Sequence, residues 1–225
     1  MPRTLFIGDV HGCLEEYDAL VAQFAPAPDD CIAHVGDLIA RGPDSIGVIR
    51  SARARGAVVV RGNHEERLLR WRKTPDEIKM HPTHLEVARA LSNEEWDWLD
   101  ATPLWRDFPA HGVRVLHAGV EPSISDFSFQ NSHTLMNIRT TGQPPELWAK
   151  SYAAEPHIIF GHHAAAGLQL HAHATGLDTG CVYGGALTGL VLNDGESPAP
   201  PARRAQQLLH EKAKRVYVQV RSYRP

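Results

Sequence analysis

Short apolar runs that stop at glycine set the rhythm of this chain. Arg3 to Gly8 is apolar up to Asp9 and predicts a buried strand. Leu14, Tyr17, Leu20, Val21 and Phe24 then recur at helical spacing, and Pro26 and Pro28 close that helix. Cys31 to Val35 predicts a second strand, ending at Gly36-Asp37. Pro43 suits the first turn of a helix reaching about Arg55. Ala57 to Val60 predicts a third strand, ending at Gly62-Asn63-His64, with a helix following to about Arg72. Strand, turn and helix in that repeating order predict an α/β fold with a mostly parallel sheet.

The second half is less regular. Residues 74–103 read as interrupted helix, with Ser92 and Glu95 forming a capping box. Val113 to Leu116 predicts a strand ending at His117-Ala118-Gly119. Glu121 to Ser132 is turn-rich, and Thr134 to Arg139 predicts a short helix. His157 to Phe160 predicts a strand ending at Gly161-His162-His163. Glycine-punctuated apolar runs over 168–193 predict antiparallel strands. Gly195 to Pro201 reads as a linker, Arg203 to Arg215 as a basic helix and Val216 to Val220 as a last strand.

Composition narrows the class. A globule of 225 residues buries roughly 70% of the surface its unfolded chain exposes, enough for a core without disulfides. Lysine and arginine number 23 against 26 acidic residues, a net charge of −3. That balance gives no reason to expect nonspecific nucleic-acid or membrane binding. No apolar stretch has the length of a membrane span, and the N-terminus meets Asp9 before an export signal develops, so a cytoplasmic protein is expected. Cys13, Cys31 and Cys181 form no C-x-x-C pair and read as reduced thiols. The 14 histidines are spread along the chain rather than clustered as a tag.

The candidate chemistry sits where strands stop: Gly8-Asp9-Val10-His11-Gly12, Gly36-Asp37, Gly62-Asn63-His64-Glu65, His117-Ala118-Gly119 and Gly161-His162-His163. Ligand sites in open α/β sheets form beyond the carboxyl ends of strands. Carboxylate, amide and imidazole together suit a borderline divalent metal such as Mn, Zn, Fe or Ni. Asp9 and His11 point to one side of an extended chain. A carboxylate such as Asp37 can bridge two metals, which can hold a hydroxide between them and clamp an in-line displacement at phosphorus. Arg41 can meet a phosphate with a bidentate fork.

In this order the motifs resemble the calcineurin-like metallophosphoesterases, and within them the phosphoprotein phosphatase group. The match runs from Ile7 to about Leu190. The resemblance implies a β-sandwich flanked by helices, one domain over 1–225 with a basic helix and strand at about 202–221. It implies two divalent metal ions, expected to be Mn2+, with Fe, Zn, Ni or Co tolerated. Asp9, His11 and Asp37 would hold the first, and Asp37, Asn63, His117 and His162 the second. His64 would be the general acid, and Arg41 and Arg139 would bind phosphate. His163 is the rival to His162, and sequence register leaves both open.

Ala40 departs from the eukaryotic protein phosphatases, where an Asp at that position orients the catalytic histidine. Ala40-Arg41-Gly42 and the stretch from Leu177 to Thr188 are similar to the symmetrical bis(5'-nucleosyl)-tetraphosphatases. Gly161-His162-His163-Ala164-Ala165 and Asn137-Ile138-Arg139 look like the ApaH-like phosphatases. The expected reaction is hydrolysis of a dinucleoside tetraphosphate to two nucleoside diphosphates by a metal-held hydroxide. Gly62-Asn63-His64-Glu65 is the protein-phosphatase spelling, so a phosphoserine/phosphothreonine phosphatase is the alternative, followed by a polyphosphate or RNA-cap pyrophosphohydrolase. A catalytically silent metal-binding module is the rival from another class. Expected partners are a phosphate-bearing small molecule or a phosphoprotein, with no nucleic-acid or membrane partner. His171 and His173 read as neighbours of the site, and Cys181 as a packed thiol. Trp71, Trp96, Trp98 and Trp105 read as core or helix-face residues. The run Arg203-Arg204 and Lys212-Lys214-Arg215 reads as a solvated helix face.

Overall fold

A computed structural model describes residues 1–218. The elements in chain order are β1 (Arg3–Ile7), α1 (Leu14–Phe24), β2 (Cys31–His34), α2 (Ser45–Ala54), β3 (Val58–Val59), α3 (Asn63–Lys73), α4 (Pro82–Ala90) and α5 (Asn93–Asp100). They continue with β4 (Trp105–Phe108), β5 (Val113–Leu116), α6 (Ser132–Asn137), β6 (Thr140–Thr141), β7 (Glu146–Leu147), α7 (Trp148–Ser151) and β8 (His157–Phe160). The last are β9 (Gln169–Leu170), β10 (Ala174–Gly176), β11 (Ala186–Asn193), α8 (Pro201–Arg204) and β12 (Leu208–Lys212).

Ten of these strands form two five-stranded sheets, ordered β12-β11-β1-β2-β3 and β4-β5-β8-β10-β9. In each sheet three strands are mutually parallel: β1, β2 and β3 in the first, β5, β8 and β10 in the second. The outer strands are antiparallel. Both faces of the central strands are covered, which explains their nearly continuous apolar runs. Strand alternation divides the side chains between layers. Phe6, Val35, Leu190 and Leu192 pack with Val113, Val115 and Ile159 between the sheets. Leu5 and Ile7 point the other way, into a core with Tyr17, Leu20, Ile49, Leu68 and Leu99 from the helices. On the far face of the second sheet Ile158 and Phe160 meet Leu135 and Trp148. The result is the expected β-sandwich flanked by helices.

The sequence reading needs correction at three places. The runs over 168–193 are not all antiparallel: β10 pairs with β8 in parallel. The basic helix expected over Arg203–Arg215 is one helical turn, α8, followed by β12, which extends the first sheet antiparallel to β11. Period-2 pairing with a waiting sheet edge overrides the local helical preference there. The strand expected over Val216–Val220 is absent at 216–218, where 217 and 218 form bends, while 219 and 220 lie outside the described residues.

Arg204 also departs from the solvated-face reading, for it is fully buried. Its Nε donates to the Ala199 carbonyl at 2.8 Å. Nη1 donates to the His171 and Ala174 carbonyls and to Thr175 Oγ1, at 2.8–3.1 Å. Burial pulls its guanidinium down to about 10. The side chain clamps the final segment onto the second sheet with neutral acceptors. Removing it strands several buried carbonyls. Arg204→Ala is expected to cost about 3 kcal/mol, or roughly 6–12 °C in thermal midpoint, measured by thermal denaturation.

Candidate active site

The parallel triplets end at one cleft, and their turns carry the polar side chains. Turns after β1 and β2 present Asp9, His11 and Asp37. Asn63 and His64 open α3, while His117 and His162 follow β5 and β8. The turns are held in uncommon backbone conformations. His11, Asp37, Ala40, Arg41 and His162 all have φ between +48° and +70°. Such residues cost conformational energy and persist only where their surroundings fix them.

Two glycines make room for the carboxylates. A side chain at Gly161 would collide with the carboxylate of Asp9, and one at Gly62 with that of Asp37. Glu65 fixes the turn after β2. Its Oε1 accepts from the backbone N–H of Leu38 and Ile39, and its Oε2 from those of Asp37 and Gly62, at 2.9–3.3 Å. This carboxylate is fully buried and leaves those donors satisfied without reaching the cleft.

Asp37 is the centre of the cluster. Its Oδ1 accepts the His64 backbone N–H at 3.0 Å. Its Oδ2 lies 3.4 Å from His117 Nε2, 3.6 Å from His11 Nε2 and 3.9 Å from His64 Nε2. Asn63 Oδ1 lies 3.0 Å from His117 Nε2 and 2.9 Å from His162 Nδ1. Asp9 accepts the His162 backbone N–H at 3.1 Å, and its Oδ2 is 3.9 Å from His11 Nε2. Donor atoms of Asp37, His117 and His162 lie within 4.8 Å of one another, as do those of His11, Asp37 and His64. Each of these groups could hold a metal ion, and they share Asp37.

The imidazoles are oriented for ligation. His11 Nδ1 donates to the Ile39 carbonyl at 3.1 Å, and His117 Nδ1 to the Val35 carbonyl at 2.9 Å. A carbonyl only accepts, so each ring carries a proton on Nδ1 and turns Nε2 to the cleft. Burial pulls His11 down to about 4 and His162 to about 3, and also lowers His64. Burial lowers His117 too, but the Asp37 charge beside it prevails and carries it up to about 10. Asp37 is pushed up by burial and held well below the usual carboxylate range by His117 and His64. Asp9 is raised by burial and by the Asp178 charge, and burial takes Asp178 to about 6. Three buried carboxylates crowded among nitrogen donors fit a divalent cation.

The remaining candidates lie around this centre. Arg41 donates to the Tyr183 hydroxyl and has its guanidinium 5.5 Å from that ring. Arg139 is exposed on the rim, where its charge helps depress His162 and His163. His163 is half-buried and stands outside both donor groups, whereas His162 belongs to one. His173 pairs with Glu155 at 3.3 Å, and His171 lies 3.3 Å from Gln169. Cys181 is a buried free thiol. Three further residues stand near the cluster, Asp178, Glu65 and His84. Asp178 follows the end of β10 by two residues, as Asp9 follows the end of β1. Glu65 stands three residues after Gly62, a capping spacing. His84 gives no motif signal, because it reaches the site from the first turn of a separate helix, α4.

A buried cleft of carboxylates, an amide and imidazoles at the ends of a double sheet is the site of a metal-dependent hydrolase. The calcineurin-like phosphoesterase profile matches residues 2–187, and the chain belongs to that family. It is a metal-dependent phosphoric ester or anhydride hydrolase. The chain is 32% identical to the bis(5'-nucleosyl)-tetraphosphatase PrpE [asymmetrical] of Halalkalibacterium halodurans, covering 92% of this chain and 96% of the relative. It is 31% identical to the symmetrical bis(5'-nucleosyl)-tetraphosphatase of Chromohalobacter salexigens, covering 90% and 99%. A solved structure described as "a putative diadenosine tetraphosphatase" superposes with a TM-score of 0.80 at 28% identity, covering 94% of this chain and 93% of that one.

Glu65→Ala leaves four backbone donors without an acceptor and frees the turn that carries Asp37. It is expected to weaken divalent-metal binding by about ten- to a hundredfold, measured by calorimetric titration of the folded variant with manganese.

Proposed function

We propose that this chain hydrolyses dinucleoside tetraphosphates at the central anhydride, giving two nucleoside diphosphates. The observation that carries the reading is the approach of three imidazoles to one carboxylate oxygen, Asp37 Oδ2, at 3.4–3.9 Å. In this reading Asp9, His11 and Asp37 hold one divalent ion, and Asp37, Asn63, His117 and His162 hold a second. Manganese is the metal proposed. When bound, such ions supply Lewis-acid stabilisation of phosphoryl oxygens and lower the pKa of water.

The chain's own groups do the rest. Arg41 and Arg139 bind the phosphate and neutralise charge developing on it. His64 turns Nε2 towards the cluster and delivers a proton from that atom to the departing phosphate oxygen. A cavity of about 550 Å³ opens beside Asn63, walled by Arg67, Arg70 and Lys79 together with Glu66 and Glu77. Its size and its cations suit the far half of a dinucleotide. The names of the two tetraphosphatase relatives support this substrate class. The Leu177–Thr188 stretch supports central cleavage. The protein-phosphatase spelling at Glu65 loses weight as substrate evidence, because that carboxylate is occupied in bracing a turn. The three free cysteines suit a cytoplasmic setting.

The test is product analysis with manganese, offering diadenosine tetraphosphate and a phosphothreonine peptide at equal concentration. ADP as the sole nucleotide product is expected. ATP with AMP would replace central by asymmetrical cleavage, and phosphate from the peptide with the dinucleotide untouched would overturn the substrate class. Asp37→Asn is expected to lose bound manganese and about a hundredfold or more in kcat, read by metal analysis and steady-state kinetics. Unchanged metal content would refute the shared-ligand role. His64→Asn is expected to keep its metal and lose about 10²–10⁴-fold in kcat on poor leaving groups. Equal losses on good and poor leaving groups would contradict proton donation.

A further inference from the structure

Helix α4 brings a second imidazole beneath His64. Pro82 begins this helix, and its Val87 is anchored in the core shared with Leu68 and Leu99. His84, three residues earlier, shares that inward face and is 1% exposed. Its Nε2 lies 3.0 Å from His64 Nδ1. The two rings are nearly parallel, at 9°, with centroids 4.9 Å apart. On its other side the His64 ring meets His11 edge-on at 4.9 Å.

One of two facing ring nitrogens donates and the other accepts. Whichever ring donates, the bond is made at His64 Nδ1. That leaves Nε2, 3.9 Å from Asp37 Oδ2, as the nitrogen that faces the cluster.

We propose that His84 is a positioning residue for His64, holding the ring by Nδ1 so that Nε2 faces the cluster. The inference rests on the reading of His64 as proton donor. A base or acid held by a third group is a recurring arrangement, because the third group selects the tautomer and the ring angle. Here that group is a neutral imidazole from a separate helix, buried out of reach of substrate. Its loss therefore acts through His64 alone.

The experiment compares His84→Leu, His84→Gln and His64→Asn in the manganese-loaded enzyme. Aryl and alkyl phosphates of graded leaving-group acidity are the substrates, with metal content measured alongside. His84→Leu is expected to lower kcat about ten- to a hundredfold on poor leaving groups, with KM, metal content and activated substrates little changed. His84→Gln, whose amide can donate to Nδ1 or accept from it, is expected to recover most of that loss. Adding His84→Leu to His64→Asn is expected to cost nothing further. If His64→Asn is slow on poor leaving groups while His84→Leu matches wild type, the positioning role is overturned and His64 keeps its own. If His64→Asn shows no leaving-group dependence, the reading of His64 fails first. Equal loss on all substrates with loss of metal would make His84 merely structural. Should His84→Leu not fold, nitrogen NMR of the histidine-labelled wild-type chain decides. A nitrogen–nitrogen coupling across the hydrogen bond between His64 Nδ1 and His84 Nε2 is expected, and its absence would overturn the proposal.

Discussion

The Asp37 carboxylate sets what everything around the cleft must do. One oxygen is held by the His64 backbone N–H, and the other faces three imidazole nitrogens at 3.4–3.9 Å. A buried anion of this kind is stable only if the turn carrying it cannot relax towards water. Glu65 prevents that by accepting from the N–H groups on both sides of the peptide that bears Asp37. Gly62 gives the carboxylate room. The left-handed backbone at Asp37, Ala40 and Arg41 aims the turn inward. These features are consequences of one placement, so a change in any of them is felt by the metal donors before it is felt by the core.

The sandwich supplies the rigidity that this placement needs. Three parallel strands in each sheet deliver their ends to the same cleft. The sheets are locked by apolar layers on both faces, so the strained turns rest on elements that cannot shift independently. Strain is concentrated at the cleft: five of the six described non-glycine residues with positive φ lie there, and the sixth caps α1. This is the pattern of conformational cost held at a functional site and offset by burial elsewhere.

The legible part of the molecule is the part with local signals. Strand ends marked by glycine, then Asp, Asn or His, point to six candidate donors whose side chains the fold brings to one cleft: Asp9, His11, Asp37, Asn63, His117 and His162. The sheet strands from β1 to β3 and β5 and β8 were legible from apolar runs of the right length. What escaped notice depends on distant partners. Arg204 reads as a surface cation because nothing nearby in sequence announces the carbonyls of His171 and Ala174 that bury it. β12 reads as helix because its own residues show no alternation of apolar and polar positions, and its strand form comes from pairing with the edge of β11. Ala40 indicated that no acidic partner for His64 stands at that position. That the neighbour is His84, from α4, follows only from packing.

The most direct test of the account is the anomalous scattering of manganese-loaded crystals. Two peaks about 3.5–4 Å apart, on either side of the Asp37 carboxylate, are the expected result, one next to Asp9 and His11 and the other next to Asn63, His117 and His162. A single peak, or two that do not share Asp37, would contradict it.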